Sequence, residues 1–180
     1  MNKKNKAIFL DRDGVLNKEV NYLSDPNDFE FIDGSIEALK ILEKKGFLLI
    51  VISNQAGIAR GYFSEETLKR IHEKMINILK QNKTKLDAIY YCPHHPEYTG
   101  PCDCRKPNPG MIFKAQLKYN IDLKRSYIVG DTLKDIQTGK AASCKTVLVL
   151  TGYGKEEQKK LDSIMPDMIF KNLKEFAINI

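Results

Sequence analysis

The chain has 180 residues, 42% hydrophobic and 29% charged, with a formal net charge of +6. That length suits one domain with a sizeable core, residues 1–180, and no apolar run approaches the ~20 residues a bilayer crossing needs. The apolar stretch Ala7–Leu10 is too short for a signal-peptide core. The chain is therefore expected in the cytoplasm, where thiols stay reduced and a disulfide scaffold is excluded. Lysine mixes with glutamate and aspartate in KILEKKG, KTKLD and GKEEQKK. The positive charge thus reads as solvated helix faces, and neither a nucleic-acid nor a membrane partner is expected.

The first predicted strand is Ala7–Leu10, followed at once by Asp11-Arg12-Asp13-Gly14. A helix follows over Gly34–Lys45, with Ile36, Leu39, Ile41 and Leu42 at helical intervals. The second strand, Phe47–Ile52, leads into Ser53-Asn54-Gln55-Ala56-Gly57. A helix over Ser64–Lys80 starts on a serine cap with acids in its first turn and carries Leu68, Ile71, Met75, Ile78 and Leu79 on one stripe. The third strand, Ala88–Tyr91, runs into CPHHPEYTGPCDC, residues 92–104. Pro109–Asn120 is helical, Ser126–Val129 is the fourth strand, and Gly130-Asp131-Thr132 opens a helix to Ala142. Thr146–Leu150 is the fifth strand and Asp167–Phe170 a sixth, weaker one. This alternation predicts an α/β fold whose apolar strands form a parallel sheet covered on both faces. Ligands in such sheets bind beyond the carboxyl ends of the strands, where these polar signatures cluster.

Asp11 and Asp13 follow one strand and Asp131 another, with Asp135 a helical turn further on. Like charges gathered at neighbouring strand ends require a shared cation or proton. Oxygen ligands of this kind suit Mg²⁺. Ser53, Asn54 and Gln55 offer a hydroxyl and amides to phosphoryl oxygens, and Gly57 allows close backbone approach. Arg60, in GIARG, is a further candidate for a phosphate or sugar contact.

Three of the four cysteines and two of the three histidines lie in residues 92–104. Cys102-x-Cys104 is poorly spaced for a bridge, and no CxxC redox pair is present. Cys92-x-His94 with Cys102-x-Cys104 makes a Cys₃His set, a closed arrangement that suits structural Zn²⁺. The spacing leaves His95 open as an alternative to His94. Cys144 reads as a small buried hydrophobe, and His72 as a surface or packing residue.

IFLDRDGVLN, VISNQAGIARG, CRKPNPGM and IVGDTLKD resemble the four motifs of the haloacid dehalogenase superfamily of aspartate-nucleophile phosphatases. CPHHPEYTGPCDCRKPNPGM is similar to its zinc-bearing branch of heptose-bisphosphate and histidinol-phosphate phosphatases. The resemblance covers about Ala7 to Gly152. It implies a three-layer Rossmann-like parallel sheet with a small zinc loop. The fold is expected to be capless, because Asn17–Asp33 and Lys80–Asp87 are too short to hold a cap.

The resemblance also implies roles. Asp11 would be the nucleophile, and Asp13 the acid and base, its carbonyl also binding Mg²⁺. Asp131 would ligate the metal and Asp135 help hold it or its waters. Ser53 would hold phosphate, Asn54 and Gln55 would face substrate, and Lys106 or Arg105 would supply positive charge. His94 is selected as the zinc ligand. Glu19, Asn21 and Tyr22 would contact the sugar, although Glu-Val-Asn-Tyr stands where His-Gly-Tyr is common. Thr132, counted with the substrate contacts, replaces a frequent Lys or Ser, and Val15 a Thr. The expected substrate is a small sugar bisphosphate, heptose 1,7-bisphosphate cleaved at carbon 7, acted on by a monomer. Histidinol phosphate is the nearest rival. A polynucleotide 3′-phosphatase is a third reading, for which no aromatic-plus-basic surface stands out.

Overall fold

The computed structural model describes residues 4–162 and 164–180. These form strands β1 (Ala7–Leu10), β2 (Leu48–Asn54), β3 (Ala88–Cys92), β4 (Tyr127–Gly130), β5 (Lys145–Val149) and β6 (Met168–Phe170). The helices are α1 (Ser35–Lys44), α2 (Glu65–Gln81), α3 (Pro96–Thr99), α4 (Gly110–Tyr119), α5 (Leu133–Ala141), α6 (Gly154–Gln158) and α7 (Leu173–Asn179). The strands make one sheet in the order β3-β2-β1-β4-β5-β6, every pair parallel. Strand order reverses between β1 and β4, and that switch point opens a crevice at the carboxyl ends.

The strand alternation splits the core in two. Ile8, Leu10 and Val51 face a layer built from Leu39 and Leu42 of α1, Ile71 and Met75 of α2, and Phe176 of α7. Phe9, Ile50 and Ile52 face the other way, onto Met111, Ile112 and Ala115 of α4. The result is the expected three-layer architecture.

Two differences from the sequence reading bear on the site. β2 runs past the apolar segment to Asn54, because Ser53 and Asn54 continue the ladder against Tyr91 and Cys92 of β3. Ser53 and Asn54 are therefore strand residues with fixed directions. The Cys/His segment, read as a loop of little order, holds the single turn α3, where the His95 side chain accepts from the Glu97 N–H. No helix among the described residues is long and apolar enough to cross a membrane.

Candidate active site

Asp11 follows β1 and Asp131 follows β4, the two strands flanking the switch point. The Asp11 N–H donates to the Val129 carbonyl (3.0 Å), which extends the ladder one step and directs the side chain upward. Oxygens of Asp11, Asp131 and Asp135 lie within 4.8 Å of one another. Lys106 Nζ enters this group, 2.8 Å from Asp11 Oδ2 and 2.6 Å from Asp135 Oδ1, and is only 3% exposed. Asn54 fixes the lysine's backbone from both sides. Its Oδ1 accepts the Lys106 N–H (3.0 Å), and its Nδ2 donates to the Lys106 carbonyl (3.1 Å). Its amide thus holds the lysine, although Asn54 still borders the cleft.

Burial pushes the Asp131 carboxyl up to about 8, with the nearby Asp11 and Asp135 adding to it. Burial likewise raises Asp11 to about 7; Lys106 pulls it down, and Asp135 and Asp13 push it further up. Burial would lower the Lys106 ammonium, but Asp11 and Asp135 outweigh it and hold the proton firmly. Asp11 and Asp131 are raised this far even with the Lys106 ammonium among them, so the site carries more negative charge than one cation neutralises. All-oxygen donors of this kind fit a hard divalent ion. The backbone leaves Asp131 no freedom to withdraw. It accepts from the Tyr153 N–H (2.8 Å). A Cβ at Gly14 (φ +78°) or at Gly152 would come within 2.1 Å of its Oδ2.

Asp13 is held apart from this group. Both its oxygens accept from Arg12 Nη2 (2.9 and 2.8 Å), with Nε 3.2 Å from Oδ1. Asn17 Nδ2 donates to Oδ1 (2.9 Å) and Gln55 Nε2 to Oδ2 (3.0 Å). Burial alone would raise this carboxyl, but Arg12 and these donors carry it below the usual range. Gln55 also donates to Ser53 Oγ (2.7 Å), which leaves the serine proton free to be given elsewhere. The sequence reading gave Arg12 no role. Its signal was an arginine set between two strand-end carboxylates. His72, expected at the surface or in packing, packs with its Nε2 3.4 Å from Arg12 Nη1; burial, then Arg12, pushes it down to about 4.

A cleft of about 270 Å³ opens over Asp13, bordered by Glu19, Asn21, Tyr22, Asn54, Gln55 and Arg105. Lys134 and Tyr153 also border it, and neither was singled out from sequence. Asn21 and Tyr22 both adopt left-handed backbone (φ 47° and 66°), and the Tyr22 ring meets Tyr62 edge-on at 4.8 Å. Thr132 and Arg60, expected at the substrate, do not border this cleft. Thr132 Oγ1 donates to Asp135 Oδ2 (2.7 Å) and caps α5. Arg60 lies over Tyr98, with Nη2 3.0 Å from His95 Nε2.

The sulfurs of Cys92, Cys102 and Cys104 face each other at 2.7–3.5 Å, all as free thiols. Such a gathering of soft donors fits Zn²⁺. The His94 ring is not in this group. His95 has both ring nitrogens engaged, one by Glu97 N–H and one against Arg60. The cluster is tied to the catalytic end of the sheet, since the Cys92 carbonyl accepts from Gln55 N–H (2.8 Å) and Arg105 donates to the His94 carbonyl (3.1 Å).

A six-stranded parallel sheet with aspartates at its switch point and a buried lysine beside them defines a haloacid-dehalogenase-like hydrolase. The HAD-hydrolase-like family model matches residues 103–176. The D-glycero-beta-D-manno-heptose-1,7-bisphosphate 7-phosphatase of Pasteurella multocida is 52% identical over 152 residues, 82% of this chain and 83% of that protein. The protein of the same name from Haemophilus ducreyi is 46% identical over 172 residues, 91% and 94% of the two chains. The crystal structure of D,D-heptose 1,7-bisphosphate phosphatase from B. bronchiseptica, complexed with magnesium and phosphate, superposes with a TM-score of 0.90 at 36% identity, over 96% of each chain. The chain belongs to the heptose-1,7-bisphosphate 7-phosphatase family of these hydrolases.

Proposed function

We propose that the chain removes the 7-phosphate of D-glycero-β-D-manno-heptose 1,7-bisphosphate through a phosphorylated Asp11. The convergence of Asp11, Asp131 and Asp135 around Lys106 carries this reading, and the names of the relatives support the sugar and its β anomer. Asp11, Asp131 and the Asp13 carbonyl would hold Mg²⁺, with Asp135 behind them. Bound there, the ion neutralises charge between carboxylate and phosphate.

The Asp11 carboxylate attacks phosphorus as the bond to the carbon-7 oxygen breaks. Asp13 gives that oxygen its proton. It is ionised in the free protein, and a phosphate dianion arriving beside it raises its proton affinity, so it is protonated as substrate binds. The sugar leaves, and Asp13 takes a proton from water, whose oxygen attacks phosphorus and releases Asp11. Ser53 donates to the phosphoryl oxygens, and Lys106 offsets their charge.

Zn²⁺ would be held by Cys92, His94, Cys102 and Cys104. Four protein ligands would leave no open position for water, so the site would be structural and would order the segment that carries Arg105 and Lys106. The chain acts as a single domain, in the cytoplasm and as a monomer.

The test is a substrate panel with Mg²⁺: both anomers of heptose 1,7-bisphosphate, histidinol phosphate and a 3′-phosphorylated oligonucleotide. Preferred phosphate release from the β-heptose is expected, with none by Asp11→Asn. Turnover of histidinol phosphate or the oligonucleotide alone would overturn the substrate, and an active Asp11→Asn the nucleophile.

A further inference from the structure

Arg12 is the largest fully buried side chain of the fold, and its guanidinium must place its N–H groups without water. Nε and Nη2 go to Asp13, and Nη2 also reaches Gln55 Oε1 at 3.3 Å. Nη1 faces His72 Nε2 at 3.4 Å. A guanidinium only donates, so His72 Nε2 must be the unprotonated nitrogen and the ring carries its hydrogen on Nδ1. His72 sits on α2, buried, with the Tyr91 ring 5.9 Å away, and is 60 residues distant from Arg12 in the chain.

A pair that served only to neutralise a buried charge would need one contact between Arg12 and Asp13. Here the Asp13 carboxylate is fixed on every side except one. Oδ1 takes Arg12 and Asn17, Oδ2 takes Arg12 and Gln55, and the side chain's remaining 20% exposure opens on the cleft. Proton transfer is sensitive to such aim, because the acid must reach the leaving oxygen along one direction. We propose that Arg12 and His72 are positioning residues for Asp13, with the neutral His72 ring orienting the guanidinium that aims the carboxylate at the leaving oxygen. This rests on the acid–base role given to Asp13 above.

Single-turnover measurements, with enzyme in excess and Mg²⁺ present, test it through two leaving groups. A sugar alkoxide needs a proton as it departs; 2,4-dinitrophenolate does not. The readout is the ratio of the release rate from heptose 1,7-bisphosphate to that from 2,4-dinitrophenyl phosphate. Asp13→Asn should lower this ratio ~10²-fold or more, the usual scale of general acid catalysis. Arg12→Lys, which loses the fork, should lower it at least ~10-fold, and His72→Leu several-fold, with His72→Gln restoring it by supplying an acceptor oxygen. A role in folding alone would lower both rates together and leave the ratio fixed. An unchanged ratio in His72→Leu overturns the inference whatever Arg12→Lys does, including failing to fold. An unchanged ratio in Asp13→Asn overturns the acid role itself, and so separates the two failures.

Discussion

Replacing Lys106 with methionine removes the one ammonium from a buried group of three carboxylates while keeping most of the side-chain volume. Lys106 touches Asp11 at 2.8 Å and Asp135 at 2.6 Å, and its side chain is 3% exposed. Removing one partner of a buried pair typically costs ~3–5 kcal/mol. For a chain of this length that is a fall in Tm of ~6–20 °C. The cost should depend on pH. Asp11 and Asp131 are raised to about 7 and about 8 from 3.8 in the unfolded chain. The folded state then binds more protons than the unfolded state between pH 4 and 8, so stability from these groups is full at low pH and lost as pH rises through 7 and 8. In Mg²⁺-free buffer the variant should lose most at pH 8.5, where Asp11 and Asp131 ionise without the ammonium, and least at pH 5.5, where these two hold protons. Millimolar Mg²⁺ should return part of the loss at pH 8.5. Thermal unfolding of both proteins at the two pH values, with and without Mg²⁺, measures this. A penalty equal at both pH values and indifferent to Mg²⁺ would refute the electrostatic account of the site.

Gly14→Ala should lower kcat/KM ~10²-fold or more, since the new Cβ would sit 2.1 Å from Asp131 Oδ2 and displace it by about an ångström. Gly46→Ala, at the same φ of +78° with nothing within 4 Å, should cost only ~1–2 kcal/mol of backbone strain and keep activity; equal kinetic losses in the two would refute the cradle. Asn54→Ala should raise KM and lower kcat by roughly tenfold between them, as the backbone of Lys106 loses both its anchors; wild-type kinetics would show that the lysine is held by other means. Cys102→Ser should abolish zinc retention in elemental analysis, lower Tm and weaken inorganic phosphate binding; zinc retained in full would refute the thiol cluster as the ligand set.

Much of the fold could be read directly. β1 was placed to the residue because AIFL is apolar throughout, as a strand covered on both faces must be. α2 was legible from its stripe and its Ser64 cap, whose side chain accepts from Thr67 N–H. α7 was not foreseen. Its seven residues are too few to hold a helix alone, and it exists by packing Leu173, Phe176 and Ala177 beside α1. Thr132 was read as a substrate contact, and its capping role was not foreseen. A hydroxyl at a helix start can cap or bind substrate, and only the position of Asp135 shows that it caps.

The order of residues alone determined which groups stand at the carboxyl ends of the strands, because the apolar runs and their polar endings are local facts. Hence the acidic pairs, the serine and amides that end β2, and the cysteine cluster were all legible. Tertiary structure alone decided which of the two neighbouring cations goes where. Lys106 turns into the carboxylates, while Arg105 binds the His94 carbonyl and borders the cleft. It also decided that Arg12 meets a histidine 60 residues away, and that His95 is occupied by Arg60 and α3. The physical reason is the same in each case. A charged side chain's partner is chosen by which directions burial leaves open, and burial is a property of the packed sheet and its helices rather than of any segment.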